Sequence, residues 1–207
     1  MPVHVNDHPL VHDALTELRN AVTPAAQFRR AAARITMLLA AEAMRGVPSA
    51  AAPVETPMGV AQGRRISGDI VVVPVLRAGL GMLEAVLELA PQARVGHIGL
   101  QRDEQTAVAS QYYAKFPARL EESFVLLVDP MLATGGSAIA ATDLLHRAGA
   151  RRVSVVCIVA APEGIEALER AFPQVHIYTP VIDHGLNAHK FIVPGLGDFG
   201  DRLYGTS

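Results

Sequence analysis

The chain has 207 residues, 50% of them apolar, so it can fill one substantial core with room for a small appendage. Twenty acidic residues against eighteen basic ones leave a net charge of −2, which argues against a nucleic-acid scaffold. A single cysteine, Cys157, excludes an intramolecular disulfide framework, and MPVHVNDHPL lacks an apolar leader core, so a soluble cytoplasmic protein with no membrane partner is expected.

Taken in order, residues 7 to 20 are expected to form a helix, with Asp7 as its cap and Leu10, Val11, Ala14, Leu15 and Leu18 along one side. His8 and His12 are spaced four apart, but no third ligand lies near them, so no metal is assigned there. Thr23 and Pro24 open a longer helix to about Arg45, with Phe28, Ile35, Leu38, Leu39 and Ala43 spaced for burial. From 46 to 68, Gly46, Pro48, Pro53, Pro57, Gly59 and Gly63 interrupt any helix, and the stretch reads as a hairpin or projecting arm.

Ile70 to Leu76 is apolar throughout, as a strand covered on both faces should be. Arg77-Ala78-Gly79-Leu80-Gly81 follows at its C-terminal end, where open parallel sheets bind ligands, and the Arg77 fork suits phosphate oxygens. Leu80 to Leu89 should be a helix stopped by Pro91, and Val95 to Leu100 a third strand with Arg102 just past its end. Residues 103 to 119 show no clear period and read as a flexible loop of the kind that closes over a site.

The most informative stretch runs from Phe124 to Gly149. Five apolar residues, Phe124 to Val128, end at the charge of Asp129. A turn, Leu132-Ala133-Thr134-Gly135-Gly136-Ser137, leads to a helix with Ser137 near its cap, His146 and Arg147 in its last turn and Gly149 beyond its end. A strand, a Gly-rich turn and a helix start together aim several N–H groups at one point and suit a phosphate. The turn is not a P-loop, because no Lys follows Gly136, and it lacks the GxGxxG of a dinucleotide site. The acid at the strand end separates it from both. A carboxylate there accepts from sugar hydroxyls while the amides hold a phosphate, a pairing that suits a ribose 5-phosphate.

Arg151 to Val159 should be a fourth strand, Ala160 to Gly164 a turn, Ile165 to Phe172 a helix, and His176 to Tyr178 a fifth strand. This alternation predicts a right-handed parallel α/β sheet, with Cys157 as a buried core thiol. The last segment, 183 to 207, contains a literal Gly195-x-Gly197-x-x-Gly200, but too few residues follow it to complete a βαβ unit. Its glycines can let backbone approach a flat base edge-on. His184 and His189 lie in the same turn-rich stretch and are given no metal role.

VLLVDPMLATGGS resembles the 5-phosphoribosyl 1-diphosphate (PRPP) motif of type I phosphoribosyltransferases. Pro130, where most members carry a second acid, is the variant of the uracil phosphoribosyltransferases, and the chain is similar to that family over essentially its full length. The supporting runs are His8-Pro9-Leu10-Val11, Phe28-Arg29, LRAGLGM around Arg77, AAPEGI after the fourth strand, and Ile192 to Asp201. The resemblance implies an α/β, type I phosphoribosyltransferase fold over residues 1–207, a central parallel sheet flanked by helices. A β-arm at 46–68 would make subunit contacts, 103–119 would be the lid, and 183–207 would form a C-terminal hood over the base site.

It also implies the site. PRPP would be held by Arg77, Arg102, Asp129, Pro130, Met131, Leu132, Ala133, Thr134, Gly135, Gly136, Ser137 and Asp198. Uracil would be read by the backbone of Ile192 and of Gly197, Asp198 and Phe199, since its two carbonyls and N–H fit a fixed order of donors and acceptors. Arg77, Arg102 and Asp198 would be the catalytic residues, with Mg²⁺ held through PRPP oxygens and water rather than by a protein cage. The reaction would be that of pyrimidine salvage, uracil and PRPP giving UMP and diphosphate. Relatives form dimers or higher assemblies and some respond to GTP, so a homo-oligomer and a GTP effector are implied.

Three departures from the family pattern stand out. Gln101 replaces a Tyr, Ala107 to Ser110 replace an acidic, Pro-rich stretch, and Phe199 replaces an Ala. The first two bear on lid closure. An inward Phe199 ring would shrink the base pocket, yet contacts made through its backbone leave uracil able to fit. Two rival functions use related folds. An RNA-binding regulator needs a basic face that this charge balance does not supply. A purine-base transferase needs an aromatic stack and a Lys, for which Lys190 and Phe199 are the local hints.

Overall fold

The two wholly apolar strands lie side by side in the middle of the structure, a computed structural model that describes residues 3–102 and 109–206. In chain order its first elements are β1 (Val3–Val5), α1 (Pro9–Arg19), α2 (Ala25–Ala43), β2 (Ser49–Thr56), β3 (Gly59–Ile66), β4 (Ile70–Leu76) and α3 (Leu80–Leu89). Then come β5 (Arg94–Val95), β6 (His97–Arg102), β7 (Ala109–Lys115), β8 (Phe124–Val128), β9 (Met131–Leu132) and α4 (Gly136–Arg147). The last are β10 (Arg152–Val156), β11 (Val159–Ala160), α5 (Pro162–Ala171), β12 (His176–Thr179), β13 (Gly185–Leu186), β14 (Ile192–Val193) and α6 (Phe199–Tyr204).

The main sheet runs β1-β12-β10-β8-β4-β6-β7, with β5 also on β4. All its pairs are parallel except β6 with β7. Successive side chains of β4 and β8 point to opposite faces, and both faces are covered. Ile70, Val72, Leu126 and Val128 join the core under α1, α2, α3 and α6, with Phe28, Ile35, Leu39, Met82 and Phe199. Val71, Val73, Val125 and Leu127 join the core under α4 and α5, with Ala141, Leu145 and Leu168. Each such Val or Leu side chain contributes about 1.5–3 kcal/mol by leaving water.

Several boundaries differ from the sequence expectations. The first helix is capped by His8, not Asp7: with Pro9 at the first helical position, the His8 ring Nδ1 is the acceptor 3.1 Å from the Leu10 N–H. The central helix begins at Gly136 and its cap is Gly135, at φ 82°, which puts Ser137 inside the first turn. Val95 to Leu100 is split at Gly96, and its second part continues to Arg102. Val159 separates from the fourth strand to pair with Met131. The turn expected at 160 to 164 is half helix, because Pro162 starts α5.

Two larger differences concern whole elements. Residues 109–115, expected within a structureless loop, form β7 along the sheet edge, antiparallel to β6. Residues 103–108, the rest of that expected lid's first half, lie outside the described residues. The edge strand β1 and the short helix α6 have no counterpart in the sequence reading. The 46–68 stretch holds an antiparallel hairpin, β2 with β3, whose side chains are nearly all exposed. Among the described residues no helix is long and apolar enough to cross a membrane.

Candidate active site

Parallel pairing sets the site. With Pro74 opposite Val128, β4 and β8 end at the same edge of the sheet, and the segments after them, starting at Arg77 and Asp129, emerge together. β6 pairs with the last residues of β4, Val75 with Ile98 and Leu76 with Gly99, so the strand end bearing Arg102 is a neighbour in the sheet. Arg102 is the last residue of β6; its side chain lies outside the described residues.

Arg77 is exposed, and among the described residues its guanidinium has no hydrogen-bond partner, so the cation is available to a ligand. The peptide before it, Leu76–Arg77, is cis. Its carbonyl accepts from the Tyr204 hydroxyl at 3.3 Å. Gly79 lets this loop press on the neighbouring strand end, where any side chain would collide with backbone.

Asp129 is half-buried, and its Oδ1 lies 3.5 Å from the Met131 N–H. Its own N–H donates to the Val156 carbonyl, which fixes the turn to β10. The buried Pro130 gives up a carbonyl that accepts from both Ile158 (2.9 Å) and Val159 (3.0 Å). This proline therefore anchors the loop from behind and offers no side chain to a ligand. Met131 and Leu132 pair with Val159 and Ala160, and the Leu132 carbonyl accepts from the Ala161 N–H at 2.9 Å. A β-carbon on Gly164 would lie 2.5 Å from the Ala133 carbonyl oxygen, so α5 packs directly under the loop.

Residues 131–138 line a small cleft at the start of α4. The first N–H groups of this 12-residue helix, on Gly136, Ser137 and Ala138, have no carbonyl of their own helix to donate to. The Thr134 Oγ1 lies 3.5 Å from the Gly136 N–H, and the side chains of Thr134 and Ser137 are half-buried at the rim. Amides, hydroxyls and a helix start converge on one cleft, an arrangement chemically suited to an anion such as a phosphate group.

Beside it lies a cavity of about 190 Å³ lined by Met131, Ala133, Lys190, Phe191, Ile192, Gly197, Asp198 and Phe199. It joins the Asp129 to Ser137 turn to the C-terminal segment, through Met131 and Ala133 on one side and Ile192, Gly197 and Asp198 on the other. Gly197 has φ 80° and is exposed; Ile192 is buried. Asp198 is exposed and caps α6, its Oδ1 accepting from the Asp201 N–H at 2.9 Å. Phe199 turns its ring into the core, edge-on to Phe28 with centroids 5.1 Å apart, so the feared shrinkage of the pocket does not arise from that ring. Lys190 and Phe191 also face this cavity. The half-exposed Phe191 was not among the expected site residues, though an aromatic beside Ile192, itself expected at the base, was a usable signal.

The segment is fastened from the other end of the chain. Arg202 donates to the carbonyls of Leu18, Leu196 (2.7 Å) and Asn20 (2.6 Å), and its guanidinium stacks 4.5 Å over the Phe28 ring. Arg29 donates to the Leu203 carbonyl at 2.8 Å. Burial holds the Arg202 pKa below its ordinary value. Behind the phosphate loop, Cys157 is fully buried, and burial pushes its thiol up to about 12, which excludes it as a nucleophile. Among the described residues no group of three His, Cys, Asp or Glu could hold a metal ion, and His8, His12, His184 and His189 form no such cluster.

The family model for uracil phosphoribosyltransferase matches residues 5–206. A uracil phosphoribosyltransferase of Dictyoglomus turgidum is 50% identical over 205 residues, covering 99% of each chain. One of Geobacillus kaustophilus is 48% identical over 205 residues, covering 99% of this chain and 98% of its own. A solved structure of an Aquifex aeolicus protein is 35% identical, covers 99% of both chains and superposes with a TM-score of 0.93. An adenine phosphoribosyltransferase of Trypanosoma brucei, 14% identical with a TM-score of 0.59 over 93% of this chain and 85% of its own, shares the fold alone.

Proposed function

The chain belongs to the uracil phosphoribosyltransferase family, and from that membership we propose that it transfers the phosphoribosyl group of PRPP to uracil, forming UMP and diphosphate. The observation that carries this reading is the cavity shared by Met131 and Ala133 of the phosphate loop and Ile192, Gly197 and Asp198 of the C-terminal segment. A base seated there would lie next to a ribose whose 5-phosphate occupies the α4 cleft.

In this reading Asp129 accepts from the ribose hydroxyls. The N–H groups and hydroxyls from Thr134 to Ser137 hold the 5-phosphate, and the main chain from Pro130 to Ala133 shapes the loop around it. The backbone of Ile192 and of Gly197 to Phe199 reads the edge of uracil, where a wrong base would leave buried groups unpaired. The bond from ribosyl C1 to the diphosphate oxygen breaks as the bond from C1 to uracil N1 forms, and the N1 proton departs. Positive charge grows on the ribose and negative charge on the leaving group. Arg77 and Arg102 are the cations placed at strand ends to stabilise that diphosphate as it leaves. Asp198 is exposed on the rim of the base cavity and in this reading would accept the N1 proton.

The donor set fits Mg²⁺ carried by the substrate. Asp129 and Asp198 are hard oxygen donors at the site, and no protein cage stands among the described residues. Diphosphate and ribose oxygens and water would hold the ion, with Asp129 the carboxylate on the ribose side. When bound, it would neutralise charge on the leaving group. Water competes with uracil for C1, and the 103–119 segment, part of it strand β7, is the proposed cover. The hairpin formed by β2 and β3 exposes Val54, Met58, Val60 and Ile66, which supports a homo-oligomer built through it. A GTP effector rests on the family resemblance.

The test is conversion of radiolabelled uracil with PRPP and Mg²⁺, beside hypoxanthine and adenine. UMP formation from uracil alone is the expected result. Turnover of a purine and not of uracil would overturn the reading.

A further inference from the structure

On the reading that the Ile192 to Phe199 segment holds the base, we propose that Arg19 and Asp183 are positioning residues that set the shape of the uracil pocket from outside it. Gly195 sits between the two base-reading stretches, Ile192 on one side and Gly197 to Phe199 on the other. Its φ is +58°, and a β-carbon there would lie 2.2 Å from the Ile192 carbonyl oxygen. The turn is thus folded back on a residue that faces the pocket, and Gly195 is the point from which its shape is controlled.

Both polar groups of that glycine are held by the same ion pair. The Gly195 N–H donates to Asp183 Oδ2 at 2.8 Å, and the Gly195 carbonyl accepts from Arg19 Nη1 at 3.0 Å. Arg19 also donates to both oxygens of Asp183, Nη1 to Oδ2 at 3.1 Å and Nη2 to Oδ1 at 2.6 Å. Arg19 ends α1, and Asp183 is 164 residues away in sequence. Asp183 is only 6% exposed, so its charge requires this partner. Its N–H in turn donates to the Ala160 carbonyl at 2.8 Å, next to the strand pair that anchors the phosphate loop. A planar fork can bridge Asp183 and the Gly195 carbonyl together, whereas a lysine ammonium has no such geometry.

Neither side chain lines the cavity, so neither touches the base. Their effect falls chiefly on one substrate: loosening Gly195 moves the base-reading backbone, and of the groups proposed for PRPP only Asp198 lies in the moved stretch, while Arg77, Asp129 and the α4 cleft stay where they are. A purely structural pair would shift stability and both substrates alike.

The experiment measures KM for uracil and for PRPP in Arg19→Met, Arg19→Lys, Asp183→Asn and the Arg19→Met/Asp183→Asn double variant, with the wild type alongside. KM does not depend on the folded fraction, so variants recovered in poor yield remain informative, and Asp183→Asn keeps the side-chain shape. The expected result is a rise in KM for uracil of about tenfold or more, with KM for PRPP within about twofold of wild type. Arg19→Lys should recover only part of the loss, and the double variant should be far less than additive. Equal rises for both substrates, or unchanged KM for uracil in a folded Arg19→Met or Asp183→Asn, would overturn the proposal. Wild-type protein that fails to convert uracil at all would instead overturn the functional reading on which it rests.

Discussion

Gly79 and Val128 touch at their backbones: a β-carbon on Gly79 would sit 2.5 Å from the Val128 carbonyl oxygen. The loop that bears Arg77 and the strand that leads into Asp129 are therefore locked together by the absence of one side chain. Gly79 has φ −61°, which any residue tolerates, so the requirement is steric and not conformational. Gly79→Ala should cost about 1–3 kcal/mol by overpacking and should displace Arg77 relative to Asp129. Thermal unfolding and kcat are the measurements, and a variant with wild-type values of both would show that the loop can move away freely.

Arg77→Ala should behave in the opposite way. The side chain is exposed and makes no hydrogen bond among the described residues, so stability should change by no more than about 0.5 kcal/mol. If its cation stabilises the departing diphosphate, kcat should fall roughly a hundredfold or more. Unchanged turnover in that variant would remove Arg77 from the reaction.

Phe199→Ala separates packing from recognition. The ring is buried against Phe28, and truncating a core aromatic costs about 3–5 kcal/mol. Because the proposed contacts to uracil come from backbone, the preference for uracil over other bases should survive in whatever protein remains folded. A switch of preference at low temperature, where the variant is folded, would place the ring in the recognition surface after all.

Cys157 gives a pH-dependent prediction. Burial, with a smaller contribution from the Asp129 charge, raises its folded pKa from the ordinary 9.0 to about 12. The unfolded thiol ionises first, so this group's contribution to stability is full below the ordinary value of 9.0 and declines as pH rises toward the folded value. Wild type should therefore lose more stability than Cys157→Ala between neutral pH and pH 10, as read by urea midpoints. Native protein at pH 8 should resist thiol reagents until it unfolds.

The parts of the fold that were legible in the sequence are those with a single physical cause. β4 and β8 must be apolar on both faces because helices cover both, and their short runs end at a charge, Arg77 and Asp129. The turn from Asp129 to Ser137 was legible because an acid at a strand end, two glycines and a helix start follow one another directly in sequence. β7 was missed because Tyr112 and Tyr113, like most of that edge strand, are exposed and carry no alternation. α6 is only six residues long, yet Asp198 as its cap and Gly205 in the left-handed region after it, φ 69°, were signals at the right spacing. The contacts of Arg202 with Leu18 and of Arg29 with Leu203 join segments 184 and 174 residues apart, and no local pattern encodes them.

Those distant contacts have a consequence for the order in which a working enzyme comes into being. During synthesis the sheet and the turn from Asp129 to Ser137 can form while residues 192–199 are still inside the ribosome. The cavity between those two stretches then has only one of its walls. Competence arrives only when the newest residues reach back to the oldest helices, so in refolding, catalytic activity should return later than the spectroscopic signal of secondary structure.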